Sequence, residues 1–78
     1  MPVPAFVLIQ TEVGKSAQVA EEVAKVDGVE TAEAVMGVYD VIARAEADSV
    51  DELGRMVVSR IQAIHGITRT LTCQVVSL

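Results

Sequence analysis

Two tetrapeptides, Val26-Asp27-Gly28-Val29 and Ile64-His65-Gly66-Ile67, share one form, and each stands where a helical pattern gives way to a strand pattern. Glycine suits that place because a residue closing a helix commonly takes a left-handed backbone that a Cβ disfavours. Before the first, Val19, Ala20, Val23, Ala24 and Val26 recur at helical spacing; before the second, Val50, Leu53, Val57, Ile61 and Ile64 do the same. A chain that writes a β-α-β unit twice has few folds open to it. In one sheet, with both crossovers right-handed, two such units give the ferredoxin-like arrangement. The predicted class is α+β, in the order βαββαβ, with a four-stranded antiparallel sheet and two helices on one face.

The remaining pieces fit that order. Pro2 and Pro4 keep the start extended, and Ala5–Thr11 reads as a first strand, apolar on both faces. Gly14 breaks it, and Ser16 is the expected cap of the first helix. Val29 to Met36 reads as a second strand, Gly37-Val38-Tyr39-Asp40 as a turn with Gly37 at positive φ, and Asp40–Ala47 as a third strand paired to the second. Ser49-Val50-Asp51-Glu52 is a capping box for the second helix. Gly54 inside that helix costs about 1 kcal/mol against Ala and suggests close packing there. Ile67 to Val76 forms the last strand, with Ile67, Leu71, Cys73 and Val75 opposite Thr68, Thr70, Thr72 and Gln74.

Two helices cover one face of such a sheet and leave the other bare. Yet strand one offers Val7 and Ile9 to one side and Phe6 and Leu8 to the other, and strand three sets Val41 and Ala43 against Ile42. Strands apolar on both sides call for burial on both sides. At 78 residues there is room for one domain, spanning 1–78, with a marginal core. The single Cys73 forms no internal disulfide, and one Cys with one His builds no structural zinc site. Subunit association is the expected source of further stability.

Charge excludes some functions. Eleven acidic residues against six basic ones leave the chain at −5, and the basic residues form no stripe. A phosphate backbone is repelled by that balance, so direct nucleic-acid binding is not expected. No basic region precedes the apolar run Ala5–Ile9, and no run approaches the roughly 18 apolar residues of a membrane span. The expected setting is cytoplasmic, with no membrane partner and no cofactor.

Several residues could carry chemistry, each with a structural alternative. Gly14-Lys15-Ser16 follows a strand and opens a helix like the end of a phosphate loop, but Ile9 stands where such a loop needs its first glycine. His65 at a helix end suits the helix dipole, and Cys73 alternates with Leu71 and Val75 like a small core residue. The turn Gly37-Val38-Tyr39-Asp40 carries one of only two aromatic residues. Its carboxylate could pair with an ammonium group and its backbone N–H groups could hold a carboxylate; otherwise it is a hairpin turn capped by Asp40. The hydroxyl row Thr68, Thr70 and Thr72 could add donors and acceptors, or simply suit a solvated strand face.

Gly37-x-Tyr39-Asp40, then a helix, then Gly66-Ile67-Thr68-Arg69-Thr70-Leu71-Thr72, resembles the effector-binding domain of the leucine- and asparagine-responsive regulators, the Lrp/AsnC family, in which it is called RAM. The resemblance runs from strand one to Val76. It implies a domain that dimerises through its sheet, with dimers assembling into rings, commonly of eight. It also implies an amino-acid effector held between dimers by the Gly-x-Tyr-Asp turn and the Thr-x-Thr segment. By motif, the ligand-binding residues are Gly37, Tyr39, Asp40, Thr70 and Thr72, with Thr68 a weaker candidate. The family usually places Pro before each helix-ending Gly, where Asp27 and His65 stand here. A preceding helix-turn-helix is absent from these residues, so the chain resembles the stand-alone form, and control of transcription would run through a partner such as a full-length regulator. The expected function is thus an oligomeric amino-acid-binding regulatory module and not an enzyme. A small dimeric α/β-barrel enzyme of the same topology is the alternative, although such pockets are generally lined by His, Trp, Asn or Phe. A purely structural assembly domain is a third.

Overall fold

The computed structural model describes residues 2–77. The elements run β1 (Val3–Thr11), α1 (Ser16–Ala24), β2 (Val29–Ala34), β3 (Val41–Ala47), α2 (Val50–Met56) and β4 (Ile67–Gln74). The sheet order is β2-β3-β1-β4, and all three pairings are antiparallel. This is the ferredoxin-like βαββαβ arrangement that the doubled glycine exits predict. Gly28 and Gly66 take φ of +95° and +100°, so both exits turn through the left-handed region as expected.

Both helices lie on one face. Ala5, Val7 and Ile9 of β1 and Val41, Ala43 and Ala45 of β3 are buried there beneath Val19 and Val23 of α1 and Met56, Val57 and Ile61. This core is almost wholly aliphatic, as a chain with a single Phe and a single Tyr requires. Among the described residues nothing covers the opposite face. Phe6, Leu71 and Val75 are 39%, 42% and 37% exposed, and Leu8 and Ile42 stand half-buried between them. Cys73, expected in the core, is exposed on this open face beside its register partner Phe6.

Two irregularities alter the expected alternation. In β4 the register moves between Gln10–Arg69 and Thr11–Ile67, which leaves Thr68 as the extra residue. Ile67 therefore turns to the helix side and packs on the core, while Leu71, Cys73 and Val75 lie on the open face. In β2 the register moves between Val29–Ala45 and Thr31–Arg44, so Glu30 is the extra residue. That bulge lets Val29 and Ala32, three apart, both pack against the core.

Local details depart from the sequence pattern in other places. Lys15, not Ser16, is the residue preceding α1, and no side chain caps it. The Ser49 hydroxyl accepts from the Glu52 amide at 3.1 Å and caps α2; among the described residues no bond from the Ser49 N–H to the Glu52 carboxylate completes the expected capping box. Past Met56 the helix widens to a π-helical stretch, Val57–Ile61, closed by Gln62 N donating to the Val57 carbonyl at 2.8 Å. Val50, expected on the apolar stripe, is 56% exposed, and Met56 takes a buried place instead. Gly54 is exposed, with open space around it, so close packing does not explain it.

Candidate functional site

Antiparallel pairing brings four chain segments to one end of the sheet: the exit of β1, the β2–β3 turn, and the segment entering β4 beside the loop before α1. The turn is longer than expected, because β2 stops at Ala34 and the connection spans residues 35–40. It is fastened on three sides. Val35 N donates to the Asp40 carbonyl at 2.8 Å, Asp40 N donates to the Ile9 carbonyl at 2.8 Å, and Gln10 Nε2 donates to the Val38 carbonyl at 3.1 Å.

Asp40 also contributes its side chain. Oδ2 accepts from the Thr11 backbone N–H at 2.8 Å, where the β1–β4 register shifts. The bulge leaves that amide out of regular pairing, and the carboxylate supplies its acceptor. A carboxylate has further lone pairs beyond the one Thr11 uses. Tyr39 and Asp40 are half-buried, whereas Met36, Gly37 and Val38 are exposed. Gly37 does not take positive φ, and a Cβ there would meet nothing, so neither backbone nor space demands glycine at that point.

The threonines lie across β1 from the turn. Thr70 is the register partner of Ile9 and Thr72 that of Val7. Both face the helix side of an edge strand, beyond the cover of the helices. Thr70 Oγ1 accepts from Gln62 Nε2 at 2.8 Å, which ties it to the residue after the π-helical stretch. Gln62, Ile67, Thr68, Arg69 and Thr70 line an open cavity of about 410 Å³. Val41 and Thr70 are the register partners of Ile9, so Asp40, which precedes Val41 and donates its N–H to the Ile9 carbonyl, stands across β1 from Thr70 at about two strand spacings, or about 10 Å. The two halves of the predicted site share a sheet end but do not meet in one cavity within a single chain. Gln62 and Arg69 join the threonine half, and no spacing in the sequence pointed to either.

A larger opening of about 520 Å³ lies at the other end of the sheet, between the start of β2, the end of β3 and α2. Asp27, Glu46, Asp48, Glu52, Arg55 and Arg60 line it, and none of the motif residues does. It is wide open to solvent, and size alone gives it no claim over the end where the motif residues gather. Among the described residues no cluster of His, Cys, Asp and Glu could hold a metal ion, and no helix is long and apolar enough to cross a membrane.

A small βαββαβ unit with a tied turn and a hydroxyl-bearing edge strand at one sheet end is a ferredoxin-like domain, a class that hosts many functions. The chain belongs to the Lrp/AsnC ligand-binding domain family, whose model matches residues 4–77. An uncharacterised HTH-type transcriptional regulator of Pyrococcus abyssi is 32% identical over 71 residues, covering 87% of this chain and 47% of the regulator. The chain therefore spans about half the length of the curated relatives it matches. Among solved structures, TTHA0845 of Thermus thermophilus superposes with a TM-score of 0.90 at 29% identity, covering 97% of this chain and 95% of that one. FFRP-DM1 gives 0.87 at 31% identity, with 95% and 99% covered. A Neisseria meningitidis transcriptional regulator solved as an L-Met complex shares the fold, with a TM-score of 0.82 at 19% identity over 96% of this chain and 50% of that one.

Proposed function

We propose that residues 1–78 form one domain that assembles through the open face of its sheet and binds an amino acid at the sheet end where Asp40 and Thr70 stand on either side of β1. The observation that carries the reading is the split of the site across β1. The turn that bears the Asp40 carboxylate and the strand start that bears the Thr70 hydroxyl lie at the same sheet end on either side of β1, and a neighbouring subunit would complete the contact surface. In this reading the Asp40 carboxylate pairs with the ligand's ammonium group while Thr70 and Thr72 supply hydroxyls, and Gly37 and Tyr39 shape the turn. The L-Met bound by the Neisseria fold neighbour is a ligand of this chemical class. The open face, apolar at Phe6, Leu8, Ile42, Leu71 and Val75, supports pairing with a second copy, because a sheet apolar on both sides is stable only when both are covered. Rings of dimers, and a mixed assembly with a full-length regulator, extend the same proposal. The module acts in the cytoplasm, without catalysis and without contacting nucleic acid itself.

A thermal-shift screen of the twenty amino acids, run beside light scattering, tests the reading. One or a few amino acids are expected to raise the melting temperature of an oligomer. For the best ligand, Asp40→Asn keeps an oxygen for the Thr11 amide and removes the charge, so the fold should persist while binding falls. A charge pair broken on one side typically costs about 2–5 kcal/mol, or roughly thirty- to several-thousand-fold in affinity. An Asp40→Asn protein with wild-type affinity would remove Asp40 from the site.

A further inference from the structure

The opening of about 520 Å³ between the start of β2, the end of β3 and α2 carries charges of both signs, supplied by different elements. Asp27 and Asp48 belong to the strand side, one just before β2 and the other just after β3. Glu52 and Arg55 of α2, and Arg60 of the π-helical stretch, belong to the helix side. Ala47 and Met56 give the same opening an apolar part. Its volume lies in the range that small-molecule sites occupy.

Arg60 reaches this rim because of the π-helical stretch. In an ordinary helix a residue eight positions on lies about 80° round the axis, so Leu53 and Ile61 would stand apart. The wider turn reduces that offset, and both are buried, at 4% and 0% exposed. Arg60, one position before Ile61, is thereby carried off the core face to the opening. Widened turns of this kind are frequent at functional sites.

These charges are not neutralised within the chain. Glu52 stands three residues before Arg55, within reach on a helix. Yet among the described residues Asp27, Asp48, Glu52, Arg55 and Arg60 form no ion pair and no side-chain hydrogen bond. Glu46, the other carboxylate of the lining, already faces Arg44 Nη2 at 3.8 Å. Three free carboxylates and two free guanidiniums therefore surround one opening, an excess of one negative charge.

We propose that this opening binds a dibasic amino acid, a molecule with two ammonium groups and one carboxylate joined by a short aliphatic chain. Its charges match the lining group for group. The carboxylate meets Arg55 and Arg60, and the ammonium beside it meets Glu52 on the same helical side. The distant ammonium crosses to Asp27 and Asp48, and the methylenes lie over Met56 and Ala47. The net positive charge of the ligand answers the excess on the lining, and the −5 charge of the chain attracts it from a distance. None of these residues belongs to the sheet end at Asp40, so this is a second site that does not rest on the reading above.

Isothermal titration calorimetry on the Asp40→Asn protein, with circular dichroism to confirm folding, tests this with the other sheet end disabled. Lysine is the probe, beside three molecules that each lack one of its charged groups. Norleucine lacks the distant ammonium, ε-aminocaproate the near one, and cadaverine the carboxylate. Lysine should saturate a single site per chain, and each of the three should bind about fivefold more weakly or worse. Asp27→Asn with Asp48→Asn should weaken lysine by about tenfold and leave norleucine unchanged. Arg55→Gln with Arg60→Gln should weaken lysine by about the same factor and leave cadaverine unchanged. Any of the three analogues bound as tightly as lysine would overturn the inference; for cadaverine it would mean that the opening is only an acidic surface. An absence of saturation by lysine at millimolar concentration would overturn it as well. Lysine that binds the wild type but not Asp40→Asn would belong to the other sheet end, which also sinks this site.

Discussion

Gly28 takes φ +95°, and a Cβ added there would fall against the Met56 methyl group and 2.9 Å from the Glu46 carbonyl oxygen. The Met56 end can swing away, but the carbonyl is part of a strand and itself neighbours the bond from Glu46 N to the Gly28 carbonyl at 2.9 Å. Both the backbone and the space therefore require glycine. Gly28→Ala should lower the unfolding free energy by about 2 kcal/mol, measured by denaturant titration. Asp40 poses a different problem, since one carboxylate oxygen already serves the Thr11 amide. Asp40→Ala should destabilise the ligand-free protein by about 1.5–3 kcal/mol, as expected for a hydrogen bond to a charged acceptor. Any loss of ligand binding in that variant comes on top of this cost, so Asp40→Asn is the cleaner probe of recognition.

At the scale of elements, α2 offers two opposite expectations. Ser49→Ala removes the hydroxyl that accepts from Glu52 N and should cost about 1 kcal/mol. Gly54→Ala has open space before it and should stabilise by about 0.5–1 kcal/mol, read as a higher melting temperature. The Ser49 cap and the Gly66 exit were legible in the sequence, because each follows from what one residue type does at one position. Glu30 and Thr68 were not. A bulge inserts one residue and inverts the alternation beyond it, and nothing in a run of polar residues marks where that happens. The π-helical stretch was hidden for a similar reason, since Val57 and Ile61 fit ordinary helical spacing as well as the wider turn. The candidate site was half legible. The motif named Asp40 and Thr70, but it gave no sign that Asp40 holds the β1 bulge or that Gln62 holds Thr70.

For the whole molecule, the open face is the feature with most consequence for behaviour in solution. Leu8 and Ile42 are register partners at its centre. On the proposed sheet-face assembly, Leu8→Asp or Ile42→Asp should yield a monomer or unfold the chain, because a covered carboxylate without a partner costs several kcal/mol. Light scattering beside circular dichroism separates those outcomes, and an Ile42→Asp protein with unchanged mass would place the interface elsewhere. With a net charge of −5, the chain should also leave duplex DNA unshifted in a gel at physiological salt.

The strand order gives β1 a particular history during synthesis. β1 leaves the ribosome first among the strands, yet one of its edges waits for β4, which pairs with Ala5–Thr11 from about sixty positions further along. Until Ile67–Gln74 emerges, that edge presents unpaired N–H and C=O groups together with Phe6 and Leu8, a surface open to strand addition by another chain. Pairings this distant in sequence close slowly. Without its last strand the sheet would end at β1, and it is the pairing with Ile67–Gln74 that turns β1 from an edge strand into a central one.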